Sequence, residues 1–128
     1  MHSKVVSVNL YDYIDIFDGM LVIPPRGEVT AEFYLPSRFF EHRRTWLYGG
    51  VVFLVEVISE GVALLEGYVN NQCLGGLWVT KRRNFYYYDL PTPPLKRKSK
   101  NTLVLKNRSG KKINIGRVDI WIAVRKWI

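Results

Sequence analysis

The stretch "ALLEGYVNNQCLGGLW", from Ala63 to Trp78, contains the turn that decides how this chain folds. Two apolar runs flank Asn70-Asn71, and Asn adopts a positive φ more readily than most other non-glycine residues. The spacing therefore predicts two antiparallel strands joined by a two-residue type I′ turn. Gly75-Gly76 follows at once and predicts a β-bulge or a close backbone approach just beyond the turn.

The rest of the chain repeats this alternation of strand and turn. Most runs carry apolar residues at every second position, whereas "VVFLVEVI" (51–58) is nearly all apolar, as expected of a central strand covered on both faces or of an inner strand of a sandwich. In the last run the alternation slips once at Gly116, which is typical of a bulge. The one helix candidate is "SRFFEHRRTWLY" (37–48), which fits a loop equally well. Residue pairs that favour turns separate the runs, among them Asp18-Gly19, Arg26-Gly27, Glu60-Gly61 and Ser109-Gly110.

Strands of five to ten residues with a turn about every ten residues are typical of an antiparallel sandwich or barrel. A chain of 128 residues with 48% apolar content has enough material for one hydrophobic core. We therefore expect a single all-β domain over residues 1–128, with at least seven strands and less than about 15% helix against a base rate near one third.

The order of the later segments resembles the galactose-binding-domain-like jelly rolls, which are carbohydrate-binding accessory modules of many glycoside hydrolases. These modules typically carry "VNG…LG" and then "F-D-L…L…G-x-N-x-L-x-L". The matching residues here are Val69-Asn70-Asn71, Leu74-Gly75, Tyr88-Asp89-Leu90, Leu95 and 101–105. The resemblance covers residues 50–124. It implies an antiparallel two-sheet jelly-roll β-sandwich that attaches to glycans.

The aromatic residues are the first candidates for a ligand site. In "NFYYYDL" (84–90), strand alternation places Phe85 and Tyr87 on one face and the other two tyrosines on the opposite face. Exposed aromatic rings suit stacking on sugar rings or bases; the alternative is that they fill the core or an oligomer interface. The predicted ligand-binding aromatics are Trp78, Tyr86 and Tyr88.

Charge divides unevenly along the chain, whose net charge is +8. Residues 1–66 hold five Lys/Arg against nine Asp/Glu, a balance of −4, and residues 67–128 hold fourteen against two, a balance of +12. Such a basic half favours a polyanion that is bound without sequence preference, although a solvated basic surface explains it equally well. The predicted polyanion-binding residues are Lys81, Arg82, Arg83, Lys96, Arg97 and Lys98.

No residue pattern indicates an enzyme, because a positioned nucleophile, acid–base pair or metal is missing. The two histidines do not form a ligand set, and the single cysteine, Cys73, is expected to be a buried or half-buried structural residue. Glu56 and Glu66 could in principle form a glycosidase pair. Asp12, Asp15 and Asp18 could hold the structural calcium that the resembled modules often bind, although solvated carboxylates are the favoured interpretation. We expect no metal and no cofactor.

Three functions remain open. The leading one is a non-enzymatic module that binds a glycan, the second is a structural subunit of a virion or other large assembly, and the weakest is unspecific nucleic-acid binding. The expected partners are accordingly a glycan, a protein or further copies of the chain. The sequence shows no signal peptide and no membrane-spanning segment, so we expect a location in the cytoplasm or in a particle assembled there, without membrane insertion.

Overall fold

Eight β-strands form two four-stranded antiparallel sheets in the computed structural model, which describes residues 7–35, 51–80, 83–90 and 99–127. The first sheet has the strand order β1-β8-β3-β6 and the second has the order β2-β7-β4-β5. This is the order of a jelly roll, in which successive hairpins wrap around a common core. The strands are β1 (Ser7–Ile23), β2 (Glu28–Phe33), β3 (Val51–Ser59), β4 (Ala63–Val69), β5 (Gln72–Val79), β6 (Asn84–Leu90), β7 (Asn101–Asn107) and β8 (Ile113–Trp127).

The predicted all-β sandwich with at least seven strands is confirmed. The helix candidate 37–48 lies outside the described residues, and the described ranges contain no helix. Within those same ranges there is accordingly no helix of the length and apolarity needed to cross a membrane.

The core lies between the two sheets and is built by period-two alternation. In β4 and β7, every second side chain is buried and the others point outward. Each Leu or Ile moved from water into this core contributes about 1.5–3 kcal/mol. The largest fully buried side chains come from both sheets: Ile23, Val55, Leu65, Leu103, Ile113, Ile115 and Ile120.

Tyr88 belongs to this core and reaches across it. The side chain is 3% exposed, and its hydroxyl donates a hydrogen bond to the backbone carbonyl of Leu65 in the opposite sheet. Its ring lies so close to Gly67 that a Cβ atom on that residue would be 3.1 Å from the ring. The absence of a side chain at Gly67 therefore provides the space that the tyrosine ring occupies.

The Asn70-Asn71 hairpin has the predicted geometry. The two residues have φ values of 48° and 69° and connect β4 directly to β5. The turn is also tied to β7, because the Asn70 amide donates to the Thr102 carbonyl (2.9 Å) and the Thr102 amide donates to Asn70 Oδ1 (3.0 Å). Just beyond the turn, the register between β4 and β5 shifts, and Gly75 has a φ of 114°. The predicted bulge is present.

Two further bulges shape the first sheet. Gly116 has no partner on β3, since Glu56 pairs with Arg117 and Val57 pairs with Ile115, so the predicted bulge at Gly116 is confirmed. The prediction of a strand break at Asp18-Gly19 is wrong. The strand β1 continues through this pair with a register shift, because β8 is long enough to pair with both halves and Gly19 absorbs the irregularity at a φ of 139°.

Asn107 joins the β1–β2 turn to the β7–β8 turn. Its Nδ2 donates to the carbonyls of Ile23 (3.3 Å), Pro24 (3.2 Å) and Lys111 (2.6 Å), while Oδ1 accepts from the Ser109 amide (3.0 Å). Asn107-Arg108-Ser109 matches the Asn-x-Ser/Thr pattern of N-glycosylation, but the Asn107 side chain is buried and cannot be modified in the folded protein.

Candidate functional site

The outward face of the first sheet carries aromatic and charged side chains in neighbouring rows. The register sets Tyr13 opposite Trp121 and Asp15 opposite Asp119, and it sets Glu56 opposite both Arg117 and Phe85. Because directly opposed residues of antiparallel strands share a face, these side chains form one continuous surface. We call it the aromatic face and define it by Tyr13, Asp15, Glu56, Phe85, Tyr87, Arg117, Asp119 and Trp121.

The aromatic residues stand at the two sides of this face. On one side the rings of Tyr13 and Trp121 stack, with centroids 4.4 Å apart and planes inclined by 15°. On the other side, the edge strand β6 presents Phe85 and Tyr87, which are 54% and 58% exposed. Exposed rings on an edge strand can be reached by a ligand without rearrangement of the core. Trp121 Nε1 is buried and has no hydrogen-bond acceptor among the described residues.

A charged cluster lies between the aromatic groups. Arg117 Nη2 donates to Asp15 Oδ1 at 3.0 Å, and Arg117 Nε lies 2.8 Å from Asp119 Oδ2. The Asp119 side chain is only 1% exposed although it points away from the core, because Arg117 and the neighbouring strand cover it. The face thus contains one buried carboxylate beneath an arginine that remains partly accessible.

The pKa of Asp119 is raised to about 6, foremost by burial and next by hydrogen bonding with Asp15, while Arg117 acts in the opposite direction. The same hydrogen bonding lowers the pKa of Asp15, and Arg117 lowers it in addition. The two carboxyl groups therefore behave as a pair in which Asp119 holds the proton and Asp15 carries the charge below neutral pH. The buried Asp119 Oδ1 has no hydrogen-bond partner within the described chain.

Of the predicted aromatic ligand residues, Trp78 is 66% exposed and lies on the outward side of the second sheet. Tyr86 is half-buried, and its hydroxyl accepts a hydrogen bond from the Thr80 amide. The prediction that Tyr88 binds a ligand is wrong, since its ring fills the core and offers no face to a ligand. Its outward neighbours Phe85 and Tyr87 take the exposed positions instead. The structure does not bring Trp78 together with the aromatic face.

The outward face of the second sheet differs in chemistry, and we call it the ion-pair face. It is defined by Glu28, Thr30, Glu32, Glu66, Tyr68, Thr102, Val104, Lys106 and Arg108 together with Trp78. Arg108 Nε donates to Glu66 Oε2 at 3.0 Å, and the Tyr68 hydroxyl donates to the same oxygen at 2.6 Å. These two donors, the tyrosine foremost, lower the pKa of Glu66. Lys106 Nζ lies 4.7 Å from the centre of the Tyr68 ring, within the range of a cation–π contact.

The structure also locates the predicted basic residues, the cysteine and the two glutamates. Among the predicted basic residues Arg83 is exposed, and the other five lie outside the described ranges. Cys73 is exposed rather than buried, because the bulge after the turn changes which side chains of β5 point inward. Glu56 and Glu66 lie on the outward faces of different sheets and so on opposite sides of the core, which rules out a catalytic pair.

The less favoured interpretation of Asp12, Asp15 and Asp18 as a calcium site finds no supporting geometry in the part of the chain that can be described. The Asp15 carboxylate pairs with Arg117, and the side chains of Asp12 and Asp18 lie outside the described set. Among described residues, no group of three or more His, Cys, Asp or Glu side chains converges on a point suited to a metal ion.

No protein-family model matches the sequence, and no curated protein matches it. The structure is similar to the CBM36-1 domain of a multidomain xylanase from the hindgut metagenome of Trinervitermes trinervoides. The identity is 11%, the match covers 87% of this chain and 96% of that chain, and the TM-score is 0.53.

Two larger proteins contain a similar unit. BuGH86 in complex with neoagarooctaose matches 96% of this chain and 20% of its own, with 18% identity and a TM-score of 0.59. Dimeric latent PorU from Porphyromonas gingivalis matches 87% of this chain and 13% of its own, with 11% identity and a TM-score of 0.55. The chain thus spans a fifth or less of these two proteins. At such identities the matches show the fold, and the chain has the jelly-roll β-sandwich fold that the resemblance over residues 50–124 implied.

Proposed function

We propose that the chain is a carbohydrate-binding module without catalytic activity and that the aromatic face is its glycan contact. The observation that carries the proposal is the exposure of Phe85 and Tyr87 beside a charged cluster on one sheet face. A pyranose ring offers an apolar face of C–H groups and a rim of hydroxyls. Exposed rings cover the former, and Asp15 and Arg117 can hydrogen-bond the latter.

The dimensions of the face suit an oligosaccharide rather than a single sugar. Tyr87 is two strands away from Asp119, and neighbouring strands are about 4.8 Å apart. Tyr87 is therefore roughly 10 Å from Asp119 and roughly 14 Å from Asp15, which lies one strand further away on β1. A ligand that stacks on Tyr87 and also hydrogen-bonds Asp15 has to extend across the strands of the sheet.

The test is a titration of a neutral oligosaccharide library, with binding measured by calorimetry. Tyr87→Ala and Phe85→Ala should each weaken binding about tenfold, since a ring contact contributes about 1.4 kcal/mol. Tyr34→Ala removes a similarly exposed ring that is not part of the face and serves as the matched control. Trp78→Ala tests the alternative site on the ion-pair face.

The results for these variants distinguish whether the chain binds a glycan from where on the chain the glycan binds. Binding that Trp78→Ala abolishes and Tyr87→Ala leaves intact would keep the function and move the site to the second sheet. Absence of binding to every sugar in the library would contradict the proposed function. Raising the salt concentration should barely change sugar binding, because stacking is short-range, whereas a polyanion bound through Arg83 and its basic neighbours would be released.

A second candidate, a subunit of a larger assembly, is supported by apolar exposure on the same sheet. Met20 is 69% exposed and Val22 is 50% exposed. Val22 pairs with Asn114 of β8, and Met20 lies near Asn114 and Gly116. Contiguous exposed apolar side chains can mark a protein–protein contact. Light scattering of the purified chain distinguishes the candidates, because a stable oligomer that Val22→Lys disperses would favour assembly.

A further inference from the structure

An apolar cleft lies between the two sheets, where the edge strands β1 and β2 approach each other. Its volume is about 200 Å³. The floor consists of buried side chains from the neighbouring strands, Leu103 and Leu105 of β7 and Val118 of β8. The walls near the mouth consist of half-buried residues, Phe17 and Leu21 of β1 and Val29 and Ala31 of β2, with Thr30 beside them.

A space of this size is unusual inside a small domain. Protein interiors are packed as densely as organic crystals, and unfilled volume lowers stability in proportion to its size. The aliphatic lining also argues against water as the occupant, because a buried water needs two to four polar partners. An apolar occupant would recover the contacts that the cleft otherwise lacks.

The size limits what the occupant is. An engineered apolar cavity of about 150 Å³ holds benzene or xenon, whereas pockets for drug-sized molecules measure about 300–1,000 Å³. The volume here lies between these and nearer to the first. The lining disfavours a sugar, since all but one of its residues are Leu, Val, Ala or Phe and Thr30 alone could not replace the hydrogen bonds that several hydroxyls would lose.

We propose that this cleft is a binding site for a small apolar group, namely one aromatic ring or an alkyl chain of about six carbon atoms. The group enters between Phe17 and Leu21 on one wall and Val29 and Ala31 on the other, and it packs on Leu103, Leu105 and Val118. The site lies between the sheets and shares no residue with the aromatic face, so its occupant would not compete with a glycan for the same side chains.

The experiment uses the full chain with ¹³C-labelled Leu, Val and Ala methyl groups and two probes, benzene and n-hexanol. Saturable shifts are expected at the methyl groups of Val29, Ala31, Leu103 and Val118. The methyl groups of Leu64 and Val104, which point outward from the second sheet, should remain unchanged. Shifts that spread equally over both sets, or none at the limit of probe solubility, would overturn the proposal.

A filling variant adds a second readout. Ala31→Leu places three further carbon atoms at the mouth of the cleft and should weaken binding of both probes at least tenfold. Val62→Leu enlarges an exposed side chain outside the cleft and should leave the affinity for both probes unchanged. Val29→Leu takes the place of Ala31→Leu if that variant does not fold. Unchanged probe affinity in the folded filling variant would refute the site. Nuclear Overhauser contacts from Leu103 to residues 36–50 in the free protein would also refute it, because the chain itself would then fill the cleft.

Discussion

The two sheets share one core but present different surfaces to the outside. The aromatic face has long, bulged strands, exposed rings and a carboxylate that is buried although it points outward. The ion-pair face has shorter strands, and its Glu66 accepts hydrogen bonds from both Tyr68 and Arg108. The jelly roll thus requires apolar inward side chains in both sheets, while the outward faces of the two sheets carry different chemistry.

The ion pairs on the two faces also differ in how much they should contribute to stability. Arg108 and Glu66 form a pair that remains accessible to water, and such pairs contribute little because water screens them and their side chains lose entropy. On the aromatic face, Asp119 has given up its hydration and depends on Arg117 for compensation. Loss of a cation should therefore have unequal consequences on the two faces.

The largest effect is expected for Arg117→Ala, which leaves the Asp119 carboxylate buried without its cation. Removal of one partner from such a pair should lower the free energy of unfolding by about 3 kcal/mol at neutral pH. Arg108→Ala on the ion-pair face is the matched variant and should lower it only slightly. Urea denaturation of both variants at pH 7.5 measures the difference.

The double variant Arg117→Ala/Asp119→Asn provides the control, since it removes the uncompensated charge. It should recover most of the stability that Arg117→Ala loses. Equal losses in Arg117→Ala and Arg108→Ala would show that Asp119 is hydrated, and the energetic contrast between the faces would disappear.

Features that depend on local backbone geometry could be predicted from the sequence. The Asn70-Asn71 turn and the Gly116 bulge follow from residues that tolerate a positive φ and from a single slip in alternation. An all-β domain of at least seven strands follows from the same signals repeated along the chain, whereas the two-sheet jelly roll was implied by the resemblance over residues 50–124.

Features that depend on neighbouring strands could not be predicted in this way. Alternation in 84–90 shows which tyrosines share a face, but the space left by Gly67 in the opposite sheet decides that Tyr88 points inward. Asp119 between Val118 and Ile120 could have been recognised as an outward residue of β8, yet its burial arises from Arg117 and from the pairing of β8 with β1. The prediction of a buried or half-buried Cys73 is wrong, because the bulge beside it changes the phase of β5.

The next effect in size concerns pH. The pKa of Asp119 is raised from 3.8 to about 6 in the folded state, so the folded protein binds this proton more tightly than the unfolded chain. Stability contributed by this group is therefore gained as the pH falls from 7 through 6 towards 4. Relative to Asp119→Asn, which does not titrate, the wild type should gain about 2 kcal/mol over this range.

Glu66 on the ion-pair face should behave in the opposite sense. Hydrogen bonds from Tyr68 and Arg108 lower its pKa, so its contribution is present above the ordinary value of 4.5 and is lost as the pH falls through the folded value. The wild type should thus lose stability relative to Glu66→Gln at low pH. Denaturation of the wild type and both variants at pH 7, 5.5 and 4 checks the two signs, and slopes of the same sign would contradict the contrast.

The smallest effect is expected at the hairpin, which lies at the end of the second sheet and away from the aromatic face. Asn71 is exposed and has a φ of 69°, so Asn71→Val should lower the free energy of unfolding by about 1–2 kcal/mol, because a β-branched residue resists the left-handed region. Asn71→Gly is the matched control and should be neutral or slightly stabilising, since glycine reaches the same φ without steric cost. Equal unfolding free energies for the two variants in urea would contradict the turn geometry.

Neither variant should change the affinity for an oligosaccharide, since the turn is hydrogen-bonded to β7 of its own sheet through Thr102 and contributes no residue to the aromatic face. A loss of sugar binding in Asn71→Val at temperatures where the protein remains folded would instead place the glycan contact on the second sheet, near Trp78.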